Sequence, residues 1–474
     1  PVYEPLPVDA PQYLNFYVKS IEFEGLQRTN SKLLHQALTD CYYARDLSEL
    51  SRALTLAFDK FNRLNIFKEV AVVIDQAGEP GAEPNASGSW SPSLDRPQEI
   101  KLIFKVKEKR MNIKTGTEFR RRDVAWNFGG SFYNIFGNAE VLDLSTSIGA
   151  SSSVPFSVNF VKPMGGDPDR LFIVNACNVK ENFLNGCNWK NDIRAASAAF
   201  QVFDRLKGRH ELKYLAEWRR LYDLKSGSSH IIRDQAGASL KSSLIHTWSK
   251  STRDDTMLPT SGRFMRLVTE IAGAGGLGNQ SFCKGELFFQ NNWTPSWTRP
   301  FISITLSQSF KFGHAVPIGQ SRFIPISDRF FMGGPTSIRG FVLNSLGPRQ
   351  FSDALGGTTI AELGFQISFP IFQRAANFAR GHLFLNAGVL GEPNLIETLS
   401  EGLTSVRKHK SLLALITSPA LQATLNPNVS VGAGLMFKMA ESARLEFNFT
   451  MPLIKQPDVH VERGIQVGIG MEFL

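Results

Sequence analysis

The sequence predicts an all-β transmembrane barrel of about 16 antiparallel strands, preceded by one small α+β domain. Three observations support this fold class. From about Met111 to Leu474 apolar residues recur with a period of two, whereas residues 18–108 contain stretches with helical spacing. No run of about eighteen apolar residues occurs, so no membrane-spanning helix is predicted. The 37 Phe residues, beside only 8 Tyr, need an apolar environment to face.

The small α+β domain is predicted over residues 18–109, after an N-terminal extension of residues 1–17. The segment VKSIEFEG (18–25) alternates and stops at a glycine, which is typical of a strand. Asn30 or Ser31 can cap a first helix, and a second helix follows. The apolar residues at helical spacing are Leu33, Leu34, Ala37, Leu38, Leu47, Leu50, Leu54, Ala57, Phe58, Phe61 and Leu64.

Two further strands, NIFKEVAVVID (65–75) and EIKLIFKVKE (99–108), complete a β-α-α-β-β order. Half of the residues between them, 77–98, are Pro, Gly or Ser, so we interpret this segment as a flexible insertion. The element order, with LNIFKEV (64–70) leading into the second strand, resembles a POTRA (polypeptide-transport-associated) domain. From this region alone, any other small α+β domain remains an alternative.

The predicted barrel occupies residues 110–474. In RLEFNFTM (444–451) and SVGAGLMFKM (430–439), apolar residues alternate with small or charged ones, and GFQISF (364–369) repeats the pattern. Such segments are typical of membrane-spanning strands, and roughly 22 residues per strand and connection give about 16 strands. A soluble sandwich also alternates. However, little helix is left to cover so many strands, and glycines and single charges suit the inner face of a barrel.

Composition argues against several other classes of function. The net charge of +9 is mild for 474 residues, and its densest clusters, FRRRD (119–123) and VRKHK (406–410), read as solvated loops. No aromatic residues interleave with these basic ones, which argues against nucleic acid. Among the four cysteines no CxxC occurs; Cys177 and Cys187 could pair, and free thiols are the favoured interpretation.

No enzyme motif occurs in the sequence. GxSxG and HExxH are both absent, and the eight His residues show no metal-ligand spacing. We therefore predict no catalytic residue, no metal site and no cofactor. No secretory signal opens the sequence, which begins with Pro rather than Met.

The stretch FMGGPTSIRGF (331–341) places one arginine among glycines and apolar residues. The glycines and the proline indicate a tight turn. Following a POTRA-like domain and inside a predicted barrel, this motif resembles the barrel-assembly and two-partner-secretion family of outer-membrane proteins, over roughly residues 18–474. The resemblance looks closest to the mitochondrial branch, the barrel subunits of the sorting and assembly machinery. The motif residues are Gly333, Gly334, Ile338, Arg339, Gly340 and Phe341.

The resemblance implies that this loop folds back into the lumen, where Arg339 pairs with an acid of the inner wall. A buried guanidinium is costly unless a carboxylate meets it. We expect Glu362, on the next strand, to be that partner. Where the bacterial assembly protein has a second acid, this sequence has Asn386, so we expect a single carboxylate to meet Arg339 instead of two. Glu446 is a weaker candidate.

The last predicted strand, GIQVGIGMEFL (464–474), is similar to the sorting signal of mitochondrial barrel precursors. Its pattern of polar, glycine and two hydrophobic positions comprises Gln466, Gly468, Met471 and Phe473. Alternation places Val467, Ile469, Met471 and Phe473 toward lipid and Gly468, Gly470 and Glu472 inward.

The first barrel strand, RMNIKTGTEF (110–119), alternates weakly, and a glycine inside it weakens it further. Its central residues are Asn112, Ile113, Lys114, Thr115 and Gly116. The family's mechanism, as the resemblance implies it, uses the seam between first and last strands as a lateral gate. The signal strand of a precursor pairs with the exposed edge there, so the function expected is insertion of β-barrel precursors into the mitochondrial outer membrane.

The segment 391–427 is too long for a simple connection and contains leucines at helical spacing, so we interpret it as a lid or partner-docking helix. The resemblance implies that the POTRA-like domain lies in the intermembrane space and that the partners, besides lipid and the precursors, are the machinery's accessory subunits on the cytosolic face. Two alternative classes are a metabolite porin or polypeptide exporter, and an outer-membrane enzyme. A porin would need neither the POTRA-like domain nor a lumen-filling loop.

Overall fold

The computed structural model describes residues 16–76, 98–120, 123–149, 155–182, 189–224, 227–273, 276–296, 303–319, 321–351, 353–372, 377–391, 427–439, 443–456, 459–470 and 474. Among these residues no helix is long and apolar enough to span a membrane. They fall into two compact units, of which one comprises the residues up to 177 together with 198–202, and the other comprises 178–197 and 203–474.

The N-terminal part forms a three-stranded sheet with three helices. The elements are β1 (Phe16–Glu24), α1 (Ser31–Ala37), α2 (Thr39–Tyr43), α3 (Leu47–Leu64), β2 (Phe67–Gln76) and β3 (Gln98–Glu108). The sheet order is β1-β3-β2, with β1 parallel and β2 antiparallel to β3. The order follows the β-α-α-β-β prediction with one addition, because the first helix breaks at Leu38 into α1 and α2. The predicted insertion lies outside the described residues except for Gln98, which begins β3.

Local sequence explains these elements. The side chain of the N-cap residue Asp46 accepts a hydrogen bond from the backbone N–H of Glu49. The Glu49 carboxylate in turn accepts one from the backbone N–H of Arg45, so the beginning of α3 resembles a capping box. Strict alternation in β1 was expected, but a bulge between Val18 and Ser20 shifts the register of its pairing with β3. Since the bulge changes the facing of the strand, Val18 and Ile21 are both buried, although the alternation had assigned them to opposite faces.

Sixteen strands form the main sheet, the number predicted from the sequence. Neighbouring strands follow one another along the chain, in the order β4 to β14 and then β17 to β21. They are β4 (Met111–Arg120), β5 (Asp123–Tyr133), β6 (Val141–Gly149), β7 (Phe156–Met164), β8 (Asp167–Asn182), β9 (Lys190–Asp204), β10 (Gly208–Tyr222), β11 (Gly237–Ser251), β12 (Gly262–Ala272), β13 (Phe282–Trp293), β14 (Thr305–Pro317), β17 (Thr359–Pro370), β18 (Ala379–Gly391), β19 (Asn428–Met439), β20 (Ala443–Ile454) and β21 (Gly464–Gly470). Helix α4 (His230–Asp234) lies between β10 and β11, and the two-residue strands β15 (Arg349–Gln350) and β16 (Asp353–Ala354) lie between β14 and β17.

The two faces of the main sheet are inverted relative to a water-soluble protein. On β17 the exposed side chains are the apolar Leu363, Phe365, Ile367 and Phe369, whereas Glu362 and Ser368 are buried. Strands β18, β20 and β21 repeat this arrangement; their exposed apolar residues are Leu383, Leu385, Phe447, Phe449, Met451, Leu453, Ile465, Val467 and Ile469. An apolar outer face over a polar, buried inner face is the arrangement of a membrane-spanning barrel.

The N-terminal sheet is bonded to the turns of the main sheet within its own compact unit. Asn30 donates its backbone N–H to Gly137 at 2.9 Å, and Asn134 donates Nδ2 to the hydroxyl of Thr29 at 2.6 Å. Burial opposes the ionisation of Glu108, but hydrogen bonds from Thr29 and Arg28 outweigh it and hold the pKa of that carboxyl below its usual range. The Glu108 carboxylate thus fixes the backbone at Arg28 and Thr29, in the segment that bonds Gly137 and Asn134.

Candidate functional site

The long connection between β14 and β17, residues 318–358, places Arg339 and many of its described apolar side chains against the inner face of the main sheet, and we call this connection the lumen loop. Gly333 and Gly334 have φ of +107° and +111°, in the left-handed region that favours glycine, so they allow the tight turn. Arg339 is 0% exposed. Apolar side chains of the loop and the wall surround this turn in one buried cluster, made of Ala272, Phe282, Ala315, Ile324, Phe330, Met332, Ile338, Phe341, Leu346, Ile360, Leu390, Val459 and Leu474.

The side chain of Arg339 contacts residues of β18 and β20. Its Nε lies 3.0 Å from Oε2 of Glu446 and its Nη2 lies 3.3 Å from Oε1, a two-point contact between guanidinium and carboxylate. Its Nη1 donates to Oδ1 of Asn386 at 3.1 Å, and the guanidinium carbon lies 4.8 Å from the centre of the Phe384 ring. The apolar cluster therefore surrounds a guanidinium whose positive charge is neutralised by a carboxylate on the inner face of the main sheet.

The structure corrects the expectation that Glu362 is the partner of Arg339. Glu362 stands opposite Lys311 in the register of β14 with β17, with the Lys311 Nζ 3.8 Å from its carboxylate, and it accepts a hydrogen bond from Ser337 Oγ. Among the residues that the structure describes, the carboxylate that contacts Arg339 is that of Glu446, the candidate rated weaker. The reason is the path of the loop: a Cβ on Gly340 would lie 3.3 Å from Thr450, so this part of the loop runs against β20.

Glu446 is shared among several donors. Its Oε1 lies 2.6 Å from Nη2 of Arg444, and its Oε2 accepts from Nδ2 of Asn448 at 2.8 Å. Glu446 is 0% exposed, and both arginines are buried as well. One carboxylate thus meets two guanidinium groups, and we call Arg339, Asn386, Arg444 and Glu446 the first clamp.

The predicted closing strand holds the same loop. Gln466 is buried, accepts the backbone N–H of Gly340 at 3.0 Å and donates Nε2 to the carbonyl of Phe341 at 3.2 Å. Gly468 faces inward opposite Glu446 in the register of β20 with β21. The predicted inward position of Gly468 and the outward positions of Val467 and Ile469 agree with their burial. Met471, Glu472 and Phe473 lie outside the described residues.

A second charged cluster, not predicted from the sequence, holds the beginning of the lumen loop. Asp328 is buried and accepts from Arg219 of β10 at 2.7 and 3.1 Å and from Nζ of Lys241 of β11 at 2.8 Å. Lys241 also lies 2.5 Å from Glu270 of β12, and Arg219 pairs with Glu217. In this second clamp the loop supplies the acid and the wall supplies the cations, the reverse of the first clamp.

None of the predicted first-strand residues is a member of either clamp. Strand β4 pairs with β5 in an unbroken antiparallel register, in which Ile113 stands opposite Gly130 and Gly116 opposite Asn127. The side chains of Asn112, Ile113, Lys114 and Thr115 are all exposed, and a Cβ on Gly116 would meet nothing within 4 Å.

The docking segment and the cysteine pair predicted from the sequence are only partly described by the structure. Residues 392–426, the greater part of the predicted docking segment, and Cys187 lie outside the described residues. Cys41, Cys177 and Cys283 are free. Among the described residues no group of three or more potential ligands is placed to hold a metal ion.

An apolar outer face, a polar inner face and a loop anchored inside by buried charges define a membrane β-barrel with an occupied lumen. The chain belongs to the Omp85 superfamily, whose domain matches residues 134–473. Over 463 residues it is 32% identical to sorting and assembly machinery component 50 homolog B of Xenopus laevis and 31% identical to the corresponding homolog of Homo sapiens, covering 96% of this chain and 90% of each relative. The structure of BamA from Haemophilus ducreyi lacking POTRA domains 1–3 has the same fold, with a TM-score of 0.71, 15% identity and coverage of 96% of this chain and 84% of that one.

Proposed function

We propose that this protein inserts β-barrel precursors into the mitochondrial outer membrane, as the barrel component of a sorting and assembly machinery. Membership of the Omp85 superfamily and the names of its relatives support this function. The observation that carries it is the lumen loop, because both clamps and Gln466 fix it to the wall. A solute channel is not favoured, since a loop anchored in this way occupies the lumen that diffusion would need. A polypeptide exporter is not favoured because the relatives that match nearly the whole chain are sorting and assembly machinery components.

The insertion step needs no covalent chemistry. Strands β21 and β4 stand at the two ends of the strand order, so they are the strands whose edges an incoming strand would join. An edge offers backbone N–H and C=O groups that pair with an extended segment. We therefore infer a lateral gate between them, with no catalytic residue, metal or cofactor.

The orientation and partners follow from the same proposal. The N-terminal sheet and its helices act as a POTRA domain in the intermembrane space, where precursors arrive. With strands crossing alternately, the lumen loop, the end of β18 and the beginning of β19 then lie toward the cytosol, where accessory subunits of the machinery would dock.

A cross-link across the gate tests the proposed mechanism. Cysteines that pair a residue from 112–116 with Val467 or Ile469, whose side chains are exposed, should cross-link readily, because a working gate keeps these two strands adjacent. With the link formed, precursors should still bind but stall before release, as followed by native electrophoresis of a labelled client after import.

The same cysteine pair after reduction is the control, and it should assemble clients at the normal rate. Assembly at an equal rate with and without the link would contradict a lateral gate and favour a closed channel.

Removing residues 18–108 tests the role of the N-terminal domain. If that domain only receives and passes on clients, its deletion should impair client assembly several-fold while the main sheet still folds, measured as heat-dependent mobility on a gel. Substitution of Thr29 or Asn134 by alanine removes the hydrogen bond between these two side chains and leaves the domain in place, so it provides a milder control. Loss of the folded barrel on deletion would instead make the domain a structural requirement.

A further inference from the structure

The outer face of the main sheet has a groove at the strand ends opposite the lumen loop, where β11 and β13 end and β12 begins. We call it the outer groove. Its volume is about 730 Å³, and its lining includes Trp248, Lys250, Arg263, Asn291 and Trp293. The groove belongs to the outer face because Leu240 and Leu244, which share the alternation of Lys250 along β11, are exposed.

The outer groove contains two cations, Lys250 and Arg263, that pair with no acid in the part of the chain that the structure describes. Among the described residues no carboxylate lies within 4.0 Å of the charged groups of Lys250 or Arg263. Lys250 stands opposite Met265 in the register of β11 with β12, so it is a diagonal neighbour of Arg263. Diagonal neighbours are close enough for long side chains to meet one common group. Cations on a lipid-facing surface are costly unless they reach the interface or an anion.

Hydrogen bonds hold the polar groups of the outer groove in place. Trp248 donates Nε1 to the carbonyl of Lys207 at 2.8 Å, and Lys250 donates Nζ to the carbonyl of Leu206 at 2.6 Å. Arg263 donates Nε to Oδ1 of Asn291 at 3.2 Å. An ammonium has three N–H groups and a guanidinium five, so most of their donors remain for a ligand.

The groove continues into an apolar track. Met265 and Phe289 line its wall, and Leu267 and Leu287 follow on the same face toward the middle of the strands. Tryptophan rings mark the depth at which headgroups meet hydrocarbon. The polar end therefore lies at headgroup depth and the apolar track lies along the acyl chains.

We propose that the outer groove binds an anionic glycerophospholipid, with its phosphate between Lys250 and Arg263 and its acyl chains along Met265 and Phe289. Two cations exceed the single negative charge of a phosphodiester, so a headgroup with no cation of its own matches them better than a zwitterionic one. Asn291 supplies an amide close to Arg263 for the glycerol or headgroup oxygens.

Lipid binding by the full chain tests this inference. The purified protein would be reconstituted in nanodiscs of phosphatidylcholine with a minor fraction of phosphatidylglycerol, and retained lipid would be measured by native mass spectrometry. Each basic residue near a membrane surface contributes about 1 kcal/mol, so the double variant Lys250→Gln with Arg263→Gln should bind phosphatidylglycerol roughly 30-fold more weakly. Binding of phosphatidylcholine should be unchanged.

The variant Arg220→Gln is the matched control, because Arg220 is an exposed cation on the outer face of β10, outside the groove. It should retain phosphatidylglycerol as the unsubstituted protein does. Equal losses in all variants would overturn the proposal in favour of nonspecific charge attraction. An unsubstituted protein that retains both lipids equally would overturn it in favour of ordinary interfacial anchoring by the two tryptophans.

Discussion

Replacing Glu446 by alanine should destabilise the barrel by about 3–5 kcal/mol, since it removes the carboxylate that two buried arginines share. The variant Arg339→Ala should cost less, toward the lower end of that range, because Arg444 remains 2.6 Å from Glu446. Client assembly should fall in both variants, since both loosen the lumen loop. Stability would be measured as the temperature at which the purified protein loses its compact mobility on a gel, and by unfolding in denaturant.

The control for this prediction is Glu286→Ala. Glu286 pairs with Lys284 at 3.3 Å, but its side chain is 30% exposed, so its loss should cost no more than about 1 kcal/mol. If Glu446→Ala is as mild as Glu286→Ala, with normal import of a client barrel, the first clamp does not hold the loop.

Asp328→Asn should release the beginning of the lumen loop at a cost of about 1.5–3 kcal/mol, the range for losing hydrogen bonds to charged groups. The loss is smaller than at Glu446 because Arg219 keeps Glu217 and Lys241 keeps Glu270. Cleavage of the loop by a protease added to reconstituted protein should become faster.

Combining Asp328→Asn with Glu446→Ala tests whether the two clamps restrain one body. Once the loop is released at one clamp, the remaining clamp stabilises the barrel less, so its loss costs less free energy. The double variant should therefore be destabilised by less than the sum of the single variants. Full additivity would mean that the clamps act on independent segments. Loop cleavage unchanged in both single variants would show that the apolar cluster alone holds the loop.

The strand pattern could be predicted from sequence because alternation is a local property. Each residue of RLEFNFTM faces inward or outward according to its place in the strand, whatever the rest of the chain does. The bulge between Val18 and Ser20 escaped prediction because it depends on the pairing of β1 with β3, which the sequence of β1 alone does not specify.

The partner of Arg339 could not be predicted for a different reason. Glu362 and Glu446 are both inward-facing acids on strands that follow the loop, and their local patterns do not distinguish them. The choice depends on the path of the loop past Thr450 and on Lys311, which stands opposite Glu362. A signal for the second clamp was present: Arg219 and Lys241 are cations at inward positions, and buried cations require acids.

Gln466 makes the lumen loop and the last strand a thermodynamically linked pair. It belongs to β21 through its backbone and to the loop through its side chain, which bonds both Gly340 and Phe341. Any displacement of β21 toward a client therefore costs these two bonds, and any ligand or substitution that shifts the loop changes the energy needed to displace β21. Because such linkage is reciprocal, a client that captures β21 must weaken the hold on the loop by the same free energy.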